Sequence, residues 1–144
     1  MKRFALILIG LVSLAIGTGV ILASAVPEEK APANSRLAVV WSSADPDVAH
    51  KVCFMYTHNA KRARWFDEVT LIVWGPSARL LAADKELQAK VRTMMADGVK
   101  VEACVVCADS YRVSDQLRKM GIDVKPEGKP LTDMLRQNWK VLTF

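Results

Sequence analysis

Apolar residues along the chain fall into two alternating patterns. Leu37-Ala38-Val39-Val40-Trp41 is a short unbroken apolar run that stops at Ser42-Ser43, as expected for a strand buried on both faces. Val69 to Trp74 is a second such run, ended by Gly75-Pro76, a pair that breaks both helix and ladder. Lys100 to Val106 predicts a third strand and Lys140 to Phe144 a last one. Between them the apolar spacing turns helical. Asp45-Pro46 opens one helix running to about Arg62, with Val48, Val52, Met55, Tyr56 and Asn59 at helical spacing. Ser77 to Ala83 predicts a short helix. Asp84 then caps a longer one, with Leu87, Val91, Met94 and Met95 as its stripe and Gly98 at its end. Two more helices are expected, one from about Ser110 with Val113, Leu117 and Met120 inward, and one carrying Leu131, Met134, Leu135 and Trp139. Strands that are apolar throughout and alternate with helices imply an α/β class, with a parallel sheet covered on both faces in three layers.

The first 25 residues follow a different logic. Lys2 and Arg3 precede an apolar stretch from Phe4 through Val26, which contains the small-x-small sequence Ala23-Ser24-Ala25. That order of cations, apolar run and small residues reads as a signal peptide cleaved after Ala25, which would put the working domain in the periplasm or otherwise outside the cytoplasm. The alternative is an uncleaved anchor in the inner membrane formed by residues 4–25, since the stretch is about 20 residues long. Only that alternative involves a membrane. Residues 26–35, with two prolines and no large apolar side chain after Val26, read as a flexible linker. Residues 36–144 are enough for one domain.

The net charge is +5, and Lys2 and Arg3 supply two of those charges. The one dense cationic run, Lys61-Arg62-Ala63-Arg64, reads as a solvated helix end, so no nucleic-acid partner is expected. No G-x-G-x-x-G, phosphate loop or G-x-S-x-G elbow is present, leaving nucleotide binding and serine hydrolysis without residues to carry them.

The candidate chemistry lies in three cysteines, too few for a disulfide scaffold. Ligands of open parallel sheets bind at the carboxyl ends of strands, here Ser42-Ser43, Gly75-Pro76-Ser77 and Cys104 to Ser110. Cys104 and Cys107 sit at that rim as a C-x-x-C, and a thiol just before a helix N-terminus is favoured as reactive thiolate, with Asp109 opposing. They are the candidate site residues; the bland reading is two small buried hydrophobes. Cys53 reads as packing. His50, Cys53 and His58 offer a loose set of soft and borderline ligands, but the step of five from Cys53 to His58 is poor for one helical face, and no metal or cofactor is expected. Met55, Met94 and Met95, with Trp41, Trp74 and Trp139, read as core.

In order and spacing, Leu37 to Ala60, Val69 to Leu81, Gly98 to Cys104 and Trp139 to Phe144 resemble the DsrE/DsrF-like family of small sulfur-relay proteins. The resemblance implies a three-layer flavodoxin-like fold with a mainly parallel sheet of about five strands, and a homo-oligomer, trimer or hexamer. It also implies a persulfide carried on the cysteine that ends the third strand, which maps to Cys104, with Cys107 where some relatives have a second cysteine. The partners would be a sulfane sulfur donor and an acceptor protein. The expectation is thus a sulfur carrier or sulfurtransferase-like protein. Two rivals are a thiol-disulfide redox protein using the Cys104/Cys107 pair and a non-catalytic oligomeric binding module.

Overall fold

A computed structural model describes residues 34–144; residues 1–33, and with them the signal segment and nearly all of the linker, lie outside the described residues. Five strands form one all-parallel sheet: β1 (Arg36–Trp41), β2 (Glu68–Val73), β3 (Lys100–Cys104), β4 (Asp123–Lys125) and β5 (Lys140–Thr143), in the order β4-β3-β2-β1-β5. The helices are α1 (Pro46–Val48), α2 (Phe54–Arg62), α3 (Ser77–Ala83), α4 (Lys85–Ala96), α5 (Val105–Ser110), α6 (Ser114–Lys119) and α7 (Gly128–Arg136). A π-helical turn, Ala49–Cys53, fuses α1 to α2.

The strand order divides the helices between the two faces. Successive steps β1 to β2 to β3 to β4 all go one way, and right-handed crossovers then put every intervening helix on one face. On that face Leu37, Val39, Trp41, Leu71, Val73, Val101 and Ala103 pack against Phe54, Leu81, Leu87, Val91, Met94, Ala108 and Leu117. The return from β4 across the sheet to β5 runs the other way, and α7 lands on the second face. There Leu131 and Met134, with Trp74, Trp139 and Val141, cover Ala38, Val40 and Ile72. The result is the α/β three-layer flavodoxin-like arrangement, with one thick helical layer and one thin one.

Local chemistry explains most boundaries. Asp45 caps α1, its Oδ1 accepting the N–H groups of Asp47 and Val48, and Pro46 follows at the first helical position. Asp84 caps α4 in the same way through Glu86 and Leu87. Gly98 and Gly121 close their helices at φ 90° and 84°.

Several expectations are corrected. The third strand ends at Cys104, and Val105 opens α5 without an intervening loop. The helix expected from about Ser110 begins at Ser114 as α6, and Tyr111–Val113, where Arg112 adopts φ 59°, separates it from α5, which already ends at Ser110. A strand absent from the sequence reading, β4, is three residues long, too short for a periodic signal. In the first long helix Val52 and Met55 are 42% and 56% exposed, and the inward set is Ala49, Cys53, Phe54, Thr57 and Ala60. The buried set keeps ordinary helical spacing but lies one residue further along the chain than the expected stripe.

Leu71 sits at the centre of β2, fully buried between Val39 of β1 and Val101 of β3. Leu71→Ala is expected to destabilise the domain by about 3 kcal/mol, read as a lowered urea midpoint with unchanged slope.

Candidate functional site

The carboxyl ends of β1, β2 and β3 form one rim, and Ser77 binds the first two together. Its fully buried hydroxyl donates to the Trp41 carbonyl at 2.6 Å and accepts the Trp74 N–H at 3.1 Å. Trp74 N–H also meets the Trp41 carbonyl, at 2.9 Å. These bonds join the exits of β1 and β2 and fix the turn Trp74-Gly75-Pro76. Ser42 closes the neighbouring side, donating from its N–H at 2.6 Å and its hydroxyl at 2.9 Å to the Phe144 carbonyl after β5.

The third exit carries the cysteines. Alternation along β3 sends Val101 and Ala103 to the thick helical layer, so Glu102 and Cys104 point to the opposite face. Cys104 is the last strand residue, with extended backbone, and is buried at 6% exposure. Because α5 begins at the next residue, Cys107 lies in its first turn, three positions on, and the chain folds its side chain back beside Cys104. Cys104 and the Gly75 backbone N–H are the groups that bear on the Cys107 thiol. Burial pushes the Cys107 thiol up, and its neighbour Cys104 adds to that, while the Gly75 N–H pulls the other way. The Cys107 thiol is therefore biased toward its protonated form. Both cysteines are free.

Gly75 holds its N–H toward Cys107 by adopting φ 68°, a conformation that costs a residue bearing a Cβ. The two sides of the site are also tied from outside, where the Arg79 guanidinium of α3 lies 5.2 Å from the centre of the Tyr111 ring just past α5. The helix-dipole contribution expected from the sequence is small, since α5 has only six residues. Asp109, expected to oppose the thiolate, is occupied by the Ser114 hydroxyl.

The other candidates separate from this rim. Cys53 is fully buried in the main core and its thiol is pushed up to about 12 by burial, against a weaker opposing bond from Thr57; it is packing, as expected. His50 and His58 instead line an outer groove of 470 Å³ between α2 and α4, with Lys51, Met55, Arg62 and Lys90. His58 pairs with Asp97 at 2.6 Å. The structure thus parts Cys53 from both histidines, and among the described residues no group of three or more His, Cys, Asp or Glu side chains could hold a metal ion. Met55, expected in the core, is half-exposed; Met94 and Trp41 are fully buried, and Trp74 and Trp139 pack partly buried on the second face. Lys61 and Arg62 do lie at a helix end, with Lys61 Nζ bonded to the Asp67 carbonyl. Among the described residues no helix is long and apolar enough to cross a membrane.

Sequence reasoning missed Gly75 and Ser77 as members of the site. The Gly-Pro pair after an apolar run marked a turn, but which backbone N–H that turn aims at a sulfur depends on where β3 ends.

The family model for the DsrE/DsrF-like family matches residues 20–144. The chain belongs to this family. Its members are sulfur-relay-type proteins. A solved structure of a conserved protein of unknown function from Bacteroides thetaiotaomicron is 31% identical, with a TM-score of 0.74, covering 78% of this chain and 97% of that one. The ychN protein of E. coli shares the fold at 17% identity, with a TM-score of 0.62 over 76% of this chain and 99% of that chain. No functionally curated protein matches the DsrE-like chain.

Replacing Gly75 by Ala strains the turn and tilts its N–H away from Cys107. The expected result is a loss of about 1–2 kcal/mol in denaturant unfolding together with slower alkylation of Cys107; an unchanged Cys107 rate would mean that the Gly75 N–H does not act on that sulfur.

Proposed function

We propose that this DsrE-like protein is an exported sulfur carrier that holds sulfane sulfur as a persulfide on Cys104. The observation that carries the reading is the pair of free thiols at the exit of β3, with Cys104 buried at the strand end and Cys107 in the first turn of α5 beside it. In the loading step the Cys104 thiolate attacks the outer sulfur of a donor persulfide. The donor S–S bond breaks, a new S–S bond forms on Cys104, and the donor leaves as thiolate. In unloading, an acceptor thiolate attacks the terminal sulfur, takes it as a new persulfide, and returns Cys104 to thiolate. Neither transfer needs an external oxidant or reductant, since the oxidising equivalents travel with the sulfane sulfur.

The bias of Cys107 toward its protonated form supports persistence of the load. Its thiol can donate a hydrogen bond to sulfur on Cys104, whereas its thiolate would attack the Cys104 Sγ, expel hydrosulfide and leave a Cys104–Cys107 disulfide. That second outcome is the redox reading, favoured by the same proximity of the two thiols, and it requires an external dithiol to reduce the bridge. Export rests on residues 1–25, whose order of cations, apolar run and Ala23-Ser24-Ala25 fits a cleaved signal. We also propose that the carrier is a homo-oligomer and that it delivers to an acceptor protein.

Intact mass spectrometry after incubation with a persulfide donor tests the assignment. Wild type is expected to gain the mass of one sulfur atom, mapped to Cys104. Cys104→Ser is expected to gain none, and Cys107→Ser to keep its load several-fold longer than wild type. A protein that gains no sulfur is not a carrier, and rapid loss of two hydrogens with a Cys104–Cys107 link assigns redox exchange instead.

A further inference from the structure

The thin layer of the domain contains a charged cluster that borders the cysteine rim. On the face where Cys104 points, the ladder pairs Glu102 with Asp123 and Cys104 with Lys125. Strands lie about 4.8 Å apart, so Lys125 is the direct lateral neighbour of Cys104, and Glu102 is the next residue down the same face. Lys125 Nζ is 2.7 Å from Glu102 Oε1 and 2.7 Å from Asp123 Oδ2. Two residues beyond Lys125, at the entrance to α7, lies Glu127.

Glu127 is anomalous for a carboxyl group. Its residue is fully buried, and neither side-chain oxygen has a hydrogen-bond partner. It precedes α7 yet makes no capping bond. The inward oxygen of Glu102, Oε2, is likewise buried without a partner. Burying an unpaired carboxylate costs several kcal/mol, and an apolar residue of similar volume would avoid that cost, so packing does not account for a glutamate here.

The charges around Glu127 come from the elements that meet it. Glu102 on β3 and Asp123 on β4 repel its ionised form, and Lys125 on β4 attracts it. Burial is the largest influence, followed by Glu102, and together they raise the carboxyl to about 7 against the counter-pull of Lys125. Lys125 stays charged throughout: burial alone would lower it, and its bonds to Asp123 and Glu102 more than reverse that. With Glu127 protonated, the four side chains sum to one negative charge; with Glu127 ionised, to two.

We propose that Glu127 is a positioning residue for the cysteine rim, a proton-holding carboxyl that sets the charge bordering Cys104 and so makes sulfur uptake pH-dependent. Loss of its proton to solvent adds a negative charge to the low-dielectric layer beside the Cys104 to Lys125 pair. That charge partly cancels the influence of Lys125 and opposes the build-up of negative charge on the Cys104 sulfur. No bond to sulfur changes in this step. The carrier is accordingly most reactive, relative to what thiol ionisation alone provides, below neutrality, and is damped above it. The inference takes Cys104 as the reactive thiol of the proposed carrier.

Alkylation of Cys104 by iodoacetamide reads this coupling without any sulfur donor, so its result is separate from that of the loading experiment. In wild type and Glu127→Gln the Cys104 rate, resolved by peptide mass mapping from pH 5.5 to 8.5, is expected to coincide at the acid end. Above pH 7.5 the variant should react about five-fold faster, the size expected of one charge at an effective dielectric near 20 after screening. A structural role alone would not produce a difference that appears only as pH crosses 7. Carbon-13 NMR of the Glu127 carboxyl in wild-type protein supplies the second readout, with a midpoint expected near 7. If Glu127→Gln fails to fold, the wild-type rate profile must bend at that midpoint. Superimposable profiles, an unbent wild-type profile, or a Glu127 carboxyl that titrates below about pH 5 in the ordinary glutamate range would each overturn the proposal; a chain that loads sulfur without this pH coupling would leave the carrier reading standing alone.

Discussion

The parallel pairing of β1, β2 and β3 is the constraint from which the rest of the molecule follows. A parallel strand cannot be reached by a tight turn, so each step across the sheet needs a crossover, and a fixed crossover hand assigns each helix to a face. Three steps in one direction load α1 to α6 onto one side. The single return step, from β4 at one edge to β5 at the other, leaves α7 by itself to cover the second. The same pairing brings Ser42, Gly75 and Cys104 to a common rim, because parallel strands all end on one side. Residues 29 to 62 positions apart in sequence meet there for this reason alone.

The uneven layers give the three cysteines three different environments. Cys53 faces the thick layer and is sealed in it, with its thiol far from ionisation at neutral pH. Cys104 faces the thin layer, where charged side chains replace the apolar contacts made nearer the centre of the sheet. Cys107 is carried past the sheet edge by the first turn of α5 and is brought back against Cys104 and the Gly75 N–H. One residue type thus serves as filler, candidate nucleophile and thiol partner, and the distinction lies in which layer each faces and which donors meet it.

The same asymmetry accounts for ionisable groups inside the fold. A face covered by one helix has room near β3 and β4 for Glu102, Lys125 and Glu127, side chains that the closely packed opposite face excludes. Their mutual charges make this corner responsive to pH, and its position beside the cysteine rim connects that response to the chemistry of the site.

Much of this was legible in the residues themselves. Unbroken apolar runs bounded by Ser42-Ser43 and Gly75-Pro76 marked β1 and β2, and caps at Asp45 and Asp84 with glycines at 98 and 121 marked helix ends, because those signals are local and depend on backbone geometry within a few residues. Cys104 and Cys107 could be chosen as the site because a strand exit is readable from one run of sequence. What local pattern could not supply was rotation and pairing. The buried stripe of the first long helix lies one residue beyond the apolar one, leaving Val52 and Met55 outward and Cys53 in the core, because docking against the sheet decides which side of a helix is covered. The three-residue β4 exists through its ladder with β3, and that ladder alone puts Lys125 beside Cys104. Glu127 reads in sequence as an ordinary charged residue before a glycine; its burial, and the partnerless state of its oxygens, arise only when β4, α7 and the second face of the sheet close around it, since burial is a property of packed elements and not of neighbours along the chain.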